Sequence, residues 1–210
     1  RHVCLLFRRF RSFRTDVTRD YVRALEARRL PHVLAGGRAF YAREEVIALC
    51  GALAAIEWPD DSLHVYATLR GPFVGLSDEQ LFAYKARHGN LGYLRLPDPE
   101  PLSASDQEVR EILQLLARLH YSRNQRPIAT TIGMFLHELR AHASVAMWPT
   151  GEQALGNVLR ILDFARAFER RGGASSFRGF VDWLERQADQ GETPDAPVIE
   201  DGSDGVRLMT

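Results

Sequence analysis

Lysine is nearly absent from this sequence: Lys85 is the sole one among 210 residues. It sits in LFAYKARHG and not in a glycine-rich loop, so the chain holds no P-loop, whose lysine reaches the phosphates of a bound nucleotide. Cysteine is almost as scarce. Cys4 and Cys50 both lie in apolar segments, where buried reduced thiols are expected in place of a disulfide or a metal pair. No apolar run approaches the roughly 18 residues a membrane span requires, and RHVCLLFRRF at the front is too short and too charged for a secretory signal. A cytoplasmic protein without membrane attachment is expected. There is no Cys-x-x-Cys pair, no Gly-x-Ser-x-Gly elbow and no Gly-x-Gly-x-x-Gly loop. HELRAH has the look of a zinc-protease helix, but His137 and His142 are five apart, about 140° around a helix beyond one full turn. No metal site is expected.

Net charge is also lacking, yet the charges are unevenly placed. Residues 1–50 hold 11 arginines against five carboxylates, whereas residues 189–204 hold six carboxylates and no base. The basic front end suits either phosphate attraction or a solvated helix face rich in arginine.

With 45% hydrophobic residues the chain is an ordinary globular one. VCLLF at Val3–Phe7 reads as a strand buried on both faces, as in a parallel sheet. Val17, Tyr21 and Leu25 mark one face of a helix over Asp16–Arg29 that ends before Pro31. A second strand over His32–Leu34 closes on Gly36-Gly37, and a helix over Arg43–Ile56 follows through Val46, Leu49, Leu53 and Ile56. The order β-α-β-α predicts part of a doubly wound α/β domain.

Beyond Trp58-Pro59 the pattern becomes helical. Leu63–Leu69 and Asp78–Arg87 read as helices, and GNLGYLRLPDPEPLSAS as a linker or long loop. Four amphipathic helices follow. Ser105 with Glu108 caps the first, Pro127 opens the second, Thr150 with Gln153 caps the third before Gly172-Gly173 ends it, and Phe177, Phe180, Val181 and Leu184 mark the last. The closing DGSDGVRLMT joins turn chemistry to the apolar residues of a strand. The nearest sheet able to accept that strand is the α/β piece at the front, which makes the helical block an insertion. The chain is therefore expected to be a piece of a longer protein.

Arg8 and Arg9 follow the first strand directly, at the sheet end where open α/β folds bind ligands. An arginine there either neutralises charge on a phosphoryl group or stands in solvent or in an ion pair. Trp58, Trp148 and Trp183 are either base-stacking platforms or packing residues.

In order, VCLLFRR, RDYVRALEARRLPHVLAGGRAFYAREEV, LRGPFVGLSDEQL and VRLMT resemble the second RecA-like domain and its insertion in superfamily 1 DNA helicases of the UvrD/Rep type. Among these the AddA and RecB-like exonuclease helicases look nearest. The resemblance covers residues 2–86 and 176–210. It implies a partial RecA-like 2A domain at residues 1–76, a helical 2B insertion at 77–204 and a return strand of 2A at 205–210 that begins motif V. It also implies a parent that uses ATP and Mg, acts on DNA at a single-strand/duplex junction in recombination or repair, and works with an upstream RecA-like 1A domain in cis and a nuclease partner subunit. Arg8 matches the motif IV arginine that reaches the γ-phosphate; Arg9 replaces a common serine. Gly75, Leu76 and Ser77 match a turn that touches duplex DNA, with Val74 and Ser77 departing from the family's arginine and second glycine. Thr210 matches the motif V threonine at the DNA and nucleotide interface. Gly36, Gly37, Arg38 and Phe40 fall in a family segment read as structural. Lacking Walker A and B elements, the fragment itself is expected to bind no cofactor and turn over no nucleotide. The alternative is a non-catalytic helical module for a partner subunit or for regulating the motor. An exposed apolar patch without a basic strip near Ser77 would favour it.

Overall fold

The computed structural model describes residues 3–8, 11–12, 15–16, 19–35, 40–96, 102–148, 151–170, 175–190 and 205–209. They pack as two compact units, Arg1–Arg43 with Gln187–Thr210, and Glu44–Arg186.

The first unit holds β1 (Cys4–Leu6), β2 (Arg11–Ser12), β3 (Thr15–Asp16), α1 (Arg19–Ala27), β4 (His32–Ala35) and β5 (Val206–Met209). Its sheet has the order β1-β5-β4 and both pairings are parallel, with Leu6 opposite Met209 and His32 opposite Val206. The last strand thus fills the slot between the first two. Gly205 leads it in: Val206 N donates to Pro31 O at 2.8 Å, and a Cβ on Gly205 would stand 2.9 Å from that same oxygen. Only glycine lets the two backbones approach so closely.

Three expectations change here. β1 is not buried on both faces: Cys4 is exposed, and Leu6 is 77% exposed. An apolar run states a preference for burial, but Cys4 and Leu6, two apart, share one face of the sheet, and that face is open among the described residues. The Cys4 thiol is therefore at the surface, whereas Cys50 is half-buried and its thiol is pushed up to about 12, by desolvation first and then by the Glu185 carboxylate. The segment expected to begin a helix at Asp16 instead pairs as an antiparallel hairpin, with Arg11 opposite Asp16, and α1 starts at Arg19.

After α1, Leu25 O accepts from Arg28 N and Leu30 N, and Arg29 takes the left-handed φ of +52°. Arginine suffers a Cβ clash there that glycine avoids. Arg29→Gly should stabilise the unit by ~1 kcal/mol, read as slower amide exchange across α1.

The second unit is helical: α2 (Glu44–Glu57), α3 (Ser62–Arg70), α4 (Asp78–His88), α5 (Ala104–Ser122), α6 (Ile128–Glu138), α7 (Ala141–Ala146), α8 (Gly151–Arg170) and α9 (Phe177–Gln190). α2 is the central element and packs against α3, α5 and α8. Val46, Leu49, Leu53 and Ile56 are all fully buried, as their spacing predicts. Glu45 and Glu57, near its two ends, are buried too, and each has a partner. Glu45 accepts from Asn157 Nδ2 at 2.6 Å, and Glu57 is paired with Arg123 Nε at 2.7 Å. The Tyr93 hydroxyl donates to Ala55 O at 2.7 Å, and His120 Nδ1 lies 2.7 Å from Ile56 O. Tyr93 belongs to the stretch expected to be a linker, yet it is buried, and its hydroxyl is pushed well above the ordinary tyrosine value chiefly by desolvation.

Helix starts also differ in detail. α5 is capped by Ser103, whose side chain accepts from Asp106 N, and not by Ser105, which already lies inside the helix. Buried Asp106 is bound to Arg87 at 2.6 Å, which anchors the earlier start. Pro127 does open α6, but the cap comes from another helix: Ile128 N donates to Glu169 Oε1 at 2.6 Å. His137 and His142 fall on different helices, α6 and α7, separated by Arg140 at φ +50°. Thr150, Gly172 and Gly173 lie outside the described residues, as does most of the acidic stretch. No helix among the described residues is long and apolar enough to cross a membrane.

Candidate nucleic-acid interface

The turn singled out from the sequence connects α3 to α4, and apolar anchors hold it in place. Phe73 is buried and meets Phe135 edge-on at 6.2 Å, and Leu76 is buried beside it, which leaves Gly75 and Ser77 outward. Gly75 has φ +80° with open space around a would-be Cβ, so its requirement for glycine is conformational and not steric.

The amides of this turn are already spoken for. Gly75 N donates to Gly71 O at 2.8 Å, Leu76 N to Leu69 O at 3.1 Å, and Ser77 N to Gln80 Oε1 at 2.9 Å. Gln80 N returns a bond to Ser77 Oγ, completing a capping box. Helix geometry leaves the N–H groups of Asp78 and Glu79, in the first turn, without an intrahelical acceptor.

Gly75, Leu76 and Ser77 line an open pocket of about 330 Å³ together with Arg70, Asp78 and Glu79. Asp78 Oδ1 accepts from Tyr66 Oη at 2.7 Å and from Arg70 Nε at 2.9 Å. The Tyr66 hydroxyl, and after it Arg70, hold the Asp78 carboxyl below the usual carboxylate range. The pocket's single cation is thus already paired, and two carboxylates stand on its rim. Leu63, on the Tyr66 side of α3, is 71% exposed, and Phe82, one helical turn after Asp78, is 76% exposed.

Arg8 and Phe40 belong to the sheet unit. Arg8 is exposed, two residues past Leu6 at the carboxyl end of β1. Thr210 lies outside the described residues; the residue before it, Met209, is the register partner of Leu6. The parallel pairing therefore puts Leu6 and Met209 at the same end of the sheet. Arg9, Gly36, Gly37 and Arg38 lie outside the described residues, while Phe40 is buried and stacks edge-on with Tyr41. Trp183 packs among Phe164, Phe168 and Phe180. Among the described residues, no group of three or more His, Cys, Asp or Glu side chains is placed to hold a metal.

Over 183 residues, 81% of its length, the chain is 28% identical to an ATP-dependent helicase/nuclease of Bacillus cereus (strain B4264), in its A subunit. It is similar to helicase/nuclease A subunits. Those of Bacillus mycoides (strain KBAB4) and Bacillus thuringiensis (strain Al Hakam) are each 27% identical over the same length. The chain spans about 14% of the length of these helicase/nuclease relatives. No protein-family model matches it.

Sequence reasoning found the glycine turn but missed the Tyr66–Asp78–Arg70 cluster on its rim. The one available signal was Ser77-x-x-Gln80, a capping box that commits the turn's amides to the helix itself.

Proposed function

We propose that the chain is part of an ATP-dependent DNA helicase of the UvrD/Rep type, within a cytoplasmic helicase-nuclease of recombination and repair. The observation that carries this reading is the similarity to helicase/nuclease A subunits over 81% of the chain. Support comes from a parallel sheet that ends β1 two residues before Arg8. In this reading the sheet unit is the partial RecA-like 2A domain. Arg8 meets the γ-phosphate of an ATP bound with Mg by the 1A domain upstream, and Thr210 lies at the DNA and nucleotide interface. The order of motifs puts the 2A border at residues 76/77 and the return at 204/205, although α2 and α3 pack with the helical unit. Gly75, Leu76 and Ser77 then meet duplex DNA next to the single-strand junction, and the products pass to a nuclease partner subunit.

The test uses the full-length protein. Arg8→Ala should lower ATP turnover about a hundred-fold with little change in nucleotide binding, as expected for a donor that acts on charge developing in the transition state. The 210-residue chain alone should show no ATP hydrolysis. Unchanged turnover in the Arg8 variant would remove Arg8 from the motor.

A second reading is favoured by the turn itself. Asp78 and Glu79 on the pocket rim repel a phosphate backbone, while exposed Leu63 and Phe82 suit a protein surface. On this view the helical unit is a non-catalytic module that contacts a partner subunit or regulates the motor. Duplex binding that tightens when Asp78 and Glu79 are made Asn and Gln, and is indifferent to Ser77→Ala, would favour it.

A further inference from the structure

At the far end of α4 from the glycine turn, about 15 Å along the helix axis, a second open pocket of about 200 Å³ is lined by Tyr84, His88, Asn90, Gly92, Arg95 and Leu96. Its side chains offer donors. Asn90 Oδ1 accepts from Gly92 N at 2.8 Å, which fixes the amide and leaves its Nδ2 to donate. Arg95 is exposed and makes no ion pair with any described residue. Tyr84 is 1% exposed, and its hydroxyl is buried without a hydrogen-bond partner; so is His88 Nε2, which stands 3.6 Å from Asp106 Oδ2. A buried hydroxyl left unpaired is costly, and a ligand acceptor would recover that cost.

The charge around the pocket has the matching sign. The last turn of α4 carries Lys85, Arg87 and His88, and Arg95 follows in the loop. The one buried carboxylate near by, Asp106, is neutralised by Arg87 at 2.6 Å. Arg95, the Asn90 amide and the Tyr84 hydroxyl are donors without a matching acceptor among the described residues, and in a basic setting they select an oxyanion.

We propose that this pocket binds a phosphate group, held by Arg95 and the Asn90 amide at its mouth over a floor of Tyr84 and His88. The group is either the backbone phosphate of a nucleic acid or a free phosphate. The site stands apart from the helicase reading, because inorganic phosphate alone tests it.

The 15N-labelled 210-residue chain is titrated with inorganic phosphate at constant ionic strength. Saturable shifts confined to the amides of residues 88–96 and to the His88 ring are expected. Arg95→Ala should weaken binding about ten-fold, and Tyr84→Phe, which removes only the hydroxyl, about three-fold, within the range of one charged and one neutral hydrogen bond. Arg70→Ala, at the other end of α4, should change nothing. A parallel series measures duplex and single-stranded oligonucleotide binding against salt. A slope reduced by about 1 in Arg95→Ala identifies a nucleic-acid phosphate, and an unchanged slope in a variant whose binding of inorganic phosphate is weakened identifies a free one. Shifts spread over all arginines, or an Arg95→Ala variant that binds phosphate as the parent chain does, would overturn the site. So would Tyr84→Phe with unchanged affinity and a raised Tm, which would mean the hydroxyl is merely buried at a cost.

Discussion

Removing residues 205–210 should abolish the parallel sheet while leaving the helical unit folded. β5 is the hydrogen-bonded neighbour of both β1 and β4, and its Leu208 is fully buried. Without it the two remaining strands stand two strand spacings apart, about 9.6 Å, too far for a ladder. Neither is long enough to persist alone, since β1 has three residues and β4 four. Hydrogen exchange gives the readout. Amides of Cys4–Leu6 and His32–Ala35 should exchange at the unprotected rate in the shortened chain, while those of α2 and α5 keep their protection. Retained protection at His32–Ala35 would mean that β4 has a partner other than β5.

The second large effect is expected at the carboxyl end of α2. Glu57 is buried and its carboxylate takes two bonds from Arg123, Nε at 2.7 Å and Nη2 at 3.4 Å, while Arg123 Nη1 also reaches His120 O. Arg123→Ala leaves a carboxylate enclosed with no counter-charge, while His120 O keeps only the backbone N–H of residue 123. Loss of one partner of such a pair costs about 3–5 kcal/mol. Replacing both members, Glu57→Met with Arg123→Met, should recover most of that loss, because an apolar pair needs no compensation. Urea midpoints of the single and double variants provide the comparison. A single variant within ~1 kcal/mol of the parent chain would mean that water reaches Glu57 and screens it.

Local chemistry made several elements legible. Gly-Ser-Asp-Gly before Val206, Leu208 and Met209 announced β5, and the spacing of Val46, Leu49, Leu53 and Ile56 announced the buried face of α2. What tertiary contacts decide was not legible. Ser103 and Ser105 are equivalent caps on paper, and the choice between them goes with the Arg87–Asp106 bond. Composition marked residues 89–105 as loop, but composition does not reveal that one aromatic in a loop will find two backbone carbonyls to serve, as Tyr93 does. The break between α6 and α7 occurs at Arg140 with no glycine or proline to signal it. At the candidate interface, Gly75 was legible as a turn residue. The carboxylate character of its rim was not, because Asp78 is bound by Arg70 and Tyr66 from eight and twelve residues away, across an intervening loop.

The pairing of β4 with β5 also governs how this architecture can vary. Because the two strands are parallel, everything from residue 36 to residue 205 runs from the carboxyl end of one to the amino end of its neighbour, a journey that a dozen or so residues can make. In topological terms the helical unit is a single overgrown crossover. Length and sequence within it can drift, and whole helices can be gained or lost, without shifting the register of Leu34 against Leu208. The constraint falls instead on the two junctions, where Gly205 must remain small.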